Sequence, residues 1–184
     1  MRPLPIQTSS LTLRHFVAED ASSLQRLNGE GSTRRWLPSH VYADVAQAKV
    51  AVAYLIGCYA SPGDAKQGPY VLAVELRRTR ELLGHVGFSP LAGEVEVSYA
   101  IAEAARGHGY AAEALAAACN WAADAFALPS VAAVTATANV ASRRVLERVG
   151  FLLHGEEAMH FQGTEQQVSR YAWFRRVSDA PFGR

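Results

Sequence analysis

A mixed α/β domain of the α+β type is what this sequence predicts, on three observations. Apolar and polar side chains alternate through Glu94, Val95, Glu96, Val97, Ser98, Tyr99, Ala100 and Ile101, the mark of a strand with two different faces. The stretch from Ala111 to about Leu128 is rich in Ala and Leu and holds neither Gly nor Pro, so it favours helix almost throughout. Between them lies Arg106-Gly107-His108-Gly109-Tyr110-Ala111, a turn in which a strand hands over to a helix.

The remaining elements follow in order. Leu11 to Phe16 reads as a strand and Asp20 to about Gly29 as a helix, with Asp20 or Ser22 as its cap. A loop through Gly31 and Pro38 precedes a second helix, about Asp44 to Tyr59, which Asp44 caps. A polar linker runs from Pro62-Gly63-Asp64 to Gly68-Pro69. Strands at Tyr70 to Leu76 and Glu81 to Phe88 form a hairpin, and its turn, Arg77-Arg78-Thr79-Arg80, reads as a solvated turn with anion binding as the alternative. A strand at Val131 to Thr137, a short helix after Asn139 and a β region from Phe151 to Phe174 complete the order. Residues 1–9 and 177–184 are expected to be flexible, leaving residues 10–176 as a single domain.

Size and charge narrow the function. A chain of 184 residues buries about 70% of its unfolded surface, enough for a real core. Lys and Arg number 18 against 17 Asp and Glu, a net charge of +1, which makes no electrostatic case for nucleic acid or an anionic membrane as partner. The apolar run after Ala111 is interrupted by Glu113, Asn120 and Asp124, so it reads as a helix of a soluble protein. Met1 to Ser10 has no apolar core of signal-peptide length, and a cytoplasmic location is expected. Cys58 and Cys119 are too few for a disulfide framework or a metal site, so no metal is expected.

The glycine turn carries the first chemistry. A helix that begins inside it presents amide N–H groups with no partner in the helix, and the aligned peptide dipoles add partial positive charge, so the site suits an anion. Gly107 and Gly109 let the backbone take unusual dihedrals and let a phosphate approach closely, and Arg106 can add a charged hydrogen bond. A plain strand-to-helix turn is one alternative. A dinucleotide fingerprint is another, since Gly107-x-Gly109-x-x-Ala112 fits it. That fold wants an acid at the end of the next strand to hold a ribose, and here the strand runs out at Ala138-Asn139.

The segment Asn139-Val140-Ala141-Ser142-Arg143-Arg144-Val145-Leu146-Glu147-Arg148-Val149-Gly150-Phe151 reads as a capped short helix, with Asn139 at its N-cap and Gly150-Phe151 as a left-handed close. With these residues in place the sequence resembles the GNAT superfamily of acetyl-CoA-dependent N-acetyltransferases. Arg106-x-x-Gly109-x-Ala111 matches its pyrophosphate loop, and Asn139-x-x-Ser142 with Gly150-Phe151 is similar to its RimJ/RimL-like branch. Leu11-Thr12-Leu13-Arg14, Glu19-Asp20-Ala21, Arg34-Arg35-Trp36-Leu37-Pro38, the strand Leu82 to Phe88 and Glu96-Val97-Ser98-Tyr99 follow the family's order, so the resemblance spans residues 10–176. It implies a twisted, mostly antiparallel sheet of about six to seven strands with about four helices, splayed between the fourth and fifth strands.

Acetyl transfer to a primary amine, on a protein N-terminus or a small molecule, is the activity the resemblance implies, by direct attack in a ternary complex with acetyl-CoA as cosubstrate. On this reading Val97, Tyr99, Ile101, Arg106, Gly107, His108, Gly109, Tyr110, Ala111, Asn139 and Ser142 bind the cofactor, with strand amides near Val97 to Tyr99 holding the acetyl carbonyl. Ser142 is also the candidate for the leaving thiolate, and Asn139 and Ser142 keep their plain readings as cap and first-turn residue. A base must take the amine proton. Glu96 ranks first, His160 second and His85 third, each with an ordinary surface or packing role as its alternative. Trp36, Tyr42, His85 and the loop from Gly29 to His40 are expected to wall the acceptor, with Met159 to Gln162 opposite. Two further readings stay open: a silent acyl-CoA-binding sensor, and an acetyltransferase of aminoglycosides or other small amines. Many members of the superfamily form homodimers, a state this sequence leaves open.

Overall fold

The computed structural model describes residues 4–175; the tail expected at 177–184 lies outside the described residues. Among the described residues a single sheet of eight strands runs in the order β1-β2-β3-β4-β5-β6-β8-β7, with five α-helices around it. The strands are β1 (Ile6–Gln7), β2 (Leu11–Arg14), β3 (Tyr70–Leu76), β4 (Leu82–Leu91), β5 (Glu94–Ile101), β6 (Ser130–Ala136), β7 (Leu152–Phe161) and β8 (Thr164–Phe174). The helices are α1 (Ala21–Asn28), α2 (Gly31–Trp36), α3 (Val45–Ala60), α4 (Tyr110–Ala125) and α5 (Val140–Val149). All neighbours pair antiparallel except β5 and β6, which are parallel and joined through the crossover helix α4.

The sheet separates two cores. On one face α4 lays Leu115, Ala118, Trp121 and Ala122 against Leu72, Val74, Val86 and Phe88, with Leu146 of α5 in the same cluster. On the other, Leu24 of α1 with Ala48 and Val52 of α3 packs on Phe16 and Ala73. α4 is mostly alanine on its buried side, so it sits close to the strands that form the site.

Three expectations need correcting. Ile6–Gln7, placed in a flexible N-terminus, pairs with Leu13 and Thr12 as a short edge strand, so the strands counted as fourth and fifth are β5 and β6. The loop after the first helix contains α2 and a 3-10 turn at Pro38–His40. α4 ends at Ala125, three residues earlier than read, because Ala127 takes a positive φ of 51°. The caps hold: the Asp44 carboxylate accepts from the Gln47 amide at 2.8 Å, and Gly150 closes α5 at φ 95°. The arginine turn is structural, since Arg80 pairs with buried Glu75 at 3.0 Å and Arg77 donates to the Thr8 carbonyl at 2.7 Å.

Candidate active site

β5 and β6 share a single register pair, Glu96 with Ala132, and then part. On its other side β5 stays laddered to β4 along its whole length, from Glu94 opposite Leu91 to Ile101 opposite Gly84. Alternate amide and carbonyl groups of β5 beyond Glu96 therefore face a gap in place of a strand. That gap is a cavity of about 570 Å³, lined by residues 97–101 of β5, residues 133–136 of β6, and the facing ends of α4 and α5.

The α4 end closes the cavity with backbone. Gly107 and Gly109 hold φ values of 79° and 82°, in the left-handed region, and a Cβ on either would meet no atom within 4 Å. The first bond of α4 runs from the Glu113 amide to the Gly109 carbonyl at 3.0 Å, which leaves the preceding amides without a partner inside the helix. Open space, unpaired N–H groups and a helix dipole thus meet at one point, and the residues fit a pyrophosphate. Arg106 lines the cavity, yet its guanidinium donates to the Ile101 carbonyl at 3.3 Å and to the Ser32 hydroxyl, with Glu103 at 3.9 Å. His108 lies off the lining, with Nδ1 2.9 Å from the Arg106 carbonyl and its ring stacked on Tyr110.

The α5 wall is a chain of satisfied hydrogen bonds. The Asn139 side chain accepts from the Ser142 amide at 3.2 Å, so it caps the helix while lining the cavity. Alternation on β5 turns Val97, Tyr99 and Ile101 toward the α4 side. There the Tyr99 hydroxyl lies 2.9 Å from the Ser142 hydroxyl and 3.1 Å from the Ser142 carbonyl. Burial pushes the Tyr99 phenol up to about 12, against a smaller opposing effect of Ser142, so it keeps its proton at neutral pH. Having one proton, Tyr99 can donate to the carbonyl and accept from the serine, or donate to the serine and free its hydrogen.

The opposite wall differs. Glu96 is half-buried on the lining, and burial raises its carboxyl above the ordinary value, partly offset by nearby Arg170. It is the one carboxylate lining the cavity among the described residues. Trp36, Leu37 and His40 close this side from the α2 segment, with Phe161 and Gln162 facing them from the β7–β8 turn. Ser39 donates to the Gln162 side chain at 3.0 Å, joining the two. The segment is also tied to the stretch just before the glycine turn, where the Ser32 amide donates to Glu103 at 3.0 Å and the Glu103 amide to Glu30 at 2.8 Å. Behind His40 lies His85, 4% exposed, with neither ring nitrogen partnered. Burial, with a smaller contribution from His40 at 5.7 Å between ring centres, lowers His85 to about 3.

Besides His108 and His85, two more of the candidates from sequence, His160 and Tyr42, lie away from the lining. His160 is exposed and pairs with Glu165 at 3.5 Å, off the lining, because it points outward from β7. Tyr42 packs beside the core under α1 and α3. Among the lining residues not singled out from sequence are the polar Ser89, Arg144 and Arg148. The period of β5 could have separated Glu96 from Tyr99; nothing local marks the arginines apart from ordinary helix-surface residues. No group of three or more His, Cys, Asp or Glu among the described residues could hold a metal ion.

Comparison with known proteins bears on the family and the fold. Residues 10–152 match the family described as Acetyltransferase (GNAT) domain. The uncharacterized N-acetyltransferase YoaA of Bacillus subtilis (strain 168) is 26% identical over 172 residues, covering 91% of this chain and 94% of that one. Among solved structures, the ribosomal-protein-S5-alanine acetyltransferase from Vibrio fischeri superposes with a TM-score of 0.80 at 16% identity, covering 95% of this chain and 98% of that one. RimL, a ribosomal alpha-N-protein acetyltransferase in complex with coenzyme A, does so at 0.76 and 19% identity, with 91% and 95% covered.

Proposed function

Because the chain belongs to the GNAT acetyltransferase family, whose members draw on acetyl-CoA, we propose that it transfers the acetyl group to a primary amine by direct attack within a ternary complex. One observation carries this reading: the open seam between β5 and β6 runs from the unpaired amides of α4 to a wall that presents Glu96. The acetyl donor supplies an activated thioester, and the protein's task is to place, deprotonate and stabilise.

Each step falls to a named group. The amides at Gly109 to Ala111 hold the pyrophosphate, and the unladdered amides of β5 donate to the acetyl oxygen as negative charge builds there. Losing one such donor costs about 3 kcal/mol of transition-state stabilisation. Glu96 takes the amine proton, directly or through a water; a carboxyl raised by burial is a better base near neutrality than an exposed one. Ser142 donates a hydrogen bond to the departing sulfur. A hydroxyl is a much weaker acid than a thiol, so Ser142 acts as donor, and the departing thiolate takes its proton from solvent or from the protonated nitrogen of the tetrahedral adduct as that adduct collapses to the amide.

Acceptor class follows from charge. With Glu96 as the one lining carboxylate among the described residues, the wall suits a single amine, a peptide N-terminus or a small monoamine, better than a polycationic aminoglycoside. A thermal-shift titration with acetyl-CoA, coenzyme A and NAD, followed by thiol release against amines and short peptides, tests the reading. Stabilisation by the coenzyme A species alone, with thiol release, supports it. Binding without release under any acceptor favours a silent acyl-CoA sensor, and no response to coenzyme A overturns the reading.

A further inference from the structure

The cavity lining carries three arginines, and they are not equivalent. Arg106, the residue the glycine motif points to, already donates to the Ile101 carbonyl and the Ser32 hydroxyl. Arg143, next in sequence to one of the lining pair, turns away and binds Glu156 at 3.3 Å and the Tyr171 hydroxyl at 3.2 Å. Arg144 and Arg148 line the cavity, are exposed, and have no ion pair or hydrogen-bond partner among the described residues. They lie four residues apart on α5, so both guanidinium groups project from one face, an arrangement that works against the helix when nothing lies between them. The helix dipole accounts for Arg148, in the last turn, but not for Arg144 in the middle. His40, the remaining basic side chain of the lining, is on the opposite wall and is held toward neutrality by burial.

We propose that Arg144 and Arg148 form a subsite for the 3′-phosphate of coenzyme A. This rests on coenzyme A as the donor. With the pyrophosphate on the backbone of α4 and the sulfur near Ser142, the group left without a counter-charge is the phosphomonoester on the ribose. It is dianionic at neutral pH and belongs at the solvent rim, where two forked guanidinium groups bind it in place of repelling each other. Because the pair is exposed, added salt weakens the contact.

The test compares coenzyme A with 3′-dephospho-coenzyme A by calorimetry on the wild-type chain and on Arg144→Gln, Arg148→Gln and the double variant. The wild type binds coenzyme A more tightly by on the order of tenfold to a hundredfold. The double variant loses that preference, keeps its affinity for the dephospho form, and shows a ligand-free thermal midpoint no lower than wild type. Equal wild-type binding of both ligands overturns the proposal, as does a double variant that keeps the preference or weakens both ligands equally. A wild-type chain that binds neither ligand overturns the donor itself, a failure distinct from loss of discrimination.

Discussion

The two walls of the seam treat their polar groups in opposite ways. At the N-terminal end of α5 the polar side chains are satisfied within the protein: Asn139 holds Ser142, and Ser142 meets Tyr99. On the side of β4 and the α2 segment, the half-buried Glu96 carboxyl is raised, His40 and His85 are driven toward neutrality, and both His85 nitrogens lack partners. A buried polar group without a partner costs about 1–3 kcal/mol, and fold stability gives no return for it. The contrast teaches that the first wall is organised in advance, as the proposed binding of a constant cosubstrate requires, while the second keeps titratable groups at a standing cost.

The sharpest way to break this contrast is at the backbone end of the first wall. Gly109→Asp adds a β-carbon at a φ of 82° and a carboxylate at the proposed phosphate site. Affinity for coenzyme A should fall by about two orders of magnitude or more. Gly109→Ala, which adds the strain without the charge, should lose less. Since a Cβ there meets nothing within 4 Å, both variants should fold, and calorimetry giving wild-type affinity for the aspartate variant would remove the phosphate role from this turn.

Next in size is Glu96→Gln, expected to lower kcat by about a hundredfold or more with little change in the KM for acetyl-CoA. The same substitution should stabilise the fold. A carboxyl raised in the native state ionises first in the unfolded chain, so stability falls as pH rises from the ordinary carboxylate range through the raised value. The glutamine variant escapes that loss. Its thermal midpoint should exceed wild type near pH 7 and converge with it below the ordinary carboxylate range. A variant less stable at pH 7 would show Glu96 to be a structural residue.

The satisfied wall should respond more mildly. Tyr99→Phe and Ser142→Ala should each lower kcat about fivefold to tenfold, the worth of one neutral hydrogen bond. Because the two hydroxyls are 2.9 Å apart, the double variant should cost less than the product of the singles. Strict additivity in the cycle would mean that Tyr99 does not act through Ser142.

What could be read in advance was what neighbouring residues encode. The alternation of β5, the two glycines before α4, and the Asn139 and Gly150 caps of α5 are local chemistry, and each falls within a residue or two of its place. β1 has two residues, too few for any period, and α2 begins at a glycine without an apolar repeat, its first turn held instead by distant Glu103. The Tyr99–Ser142 bond spans 43 residues of chain, and the contact of His40 with His85 spans two separate elements. His160 misled because a residue's place in a motif order says nothing about which face of an exposed hairpin it takes.

His85 offers the finest test of the costly wall. Its native value of about 3 lies below the 6.5 of an unfolded histidine, so between the two the unfolded chain holds a proton the native state refuses. Stability from this residue is complete above about pH 6.5 and is lost as pH falls toward 3, by at most about 1.4 kcal/mol per pH unit. His85→Leu fills a similar volume, removes both unpartnered nitrogens and abolishes that slope, so the difference in unfolding free energy between variant and wild type should widen steadily over the window. An unchanged slope would mean that water reaches the ring. Amine kinetics then divide the remaining meanings: a raised KM for the acceptor with a more stable fold makes His85 part of the acceptor wall through His40, whereas unchanged kinetics leave it a cost of the fold alone.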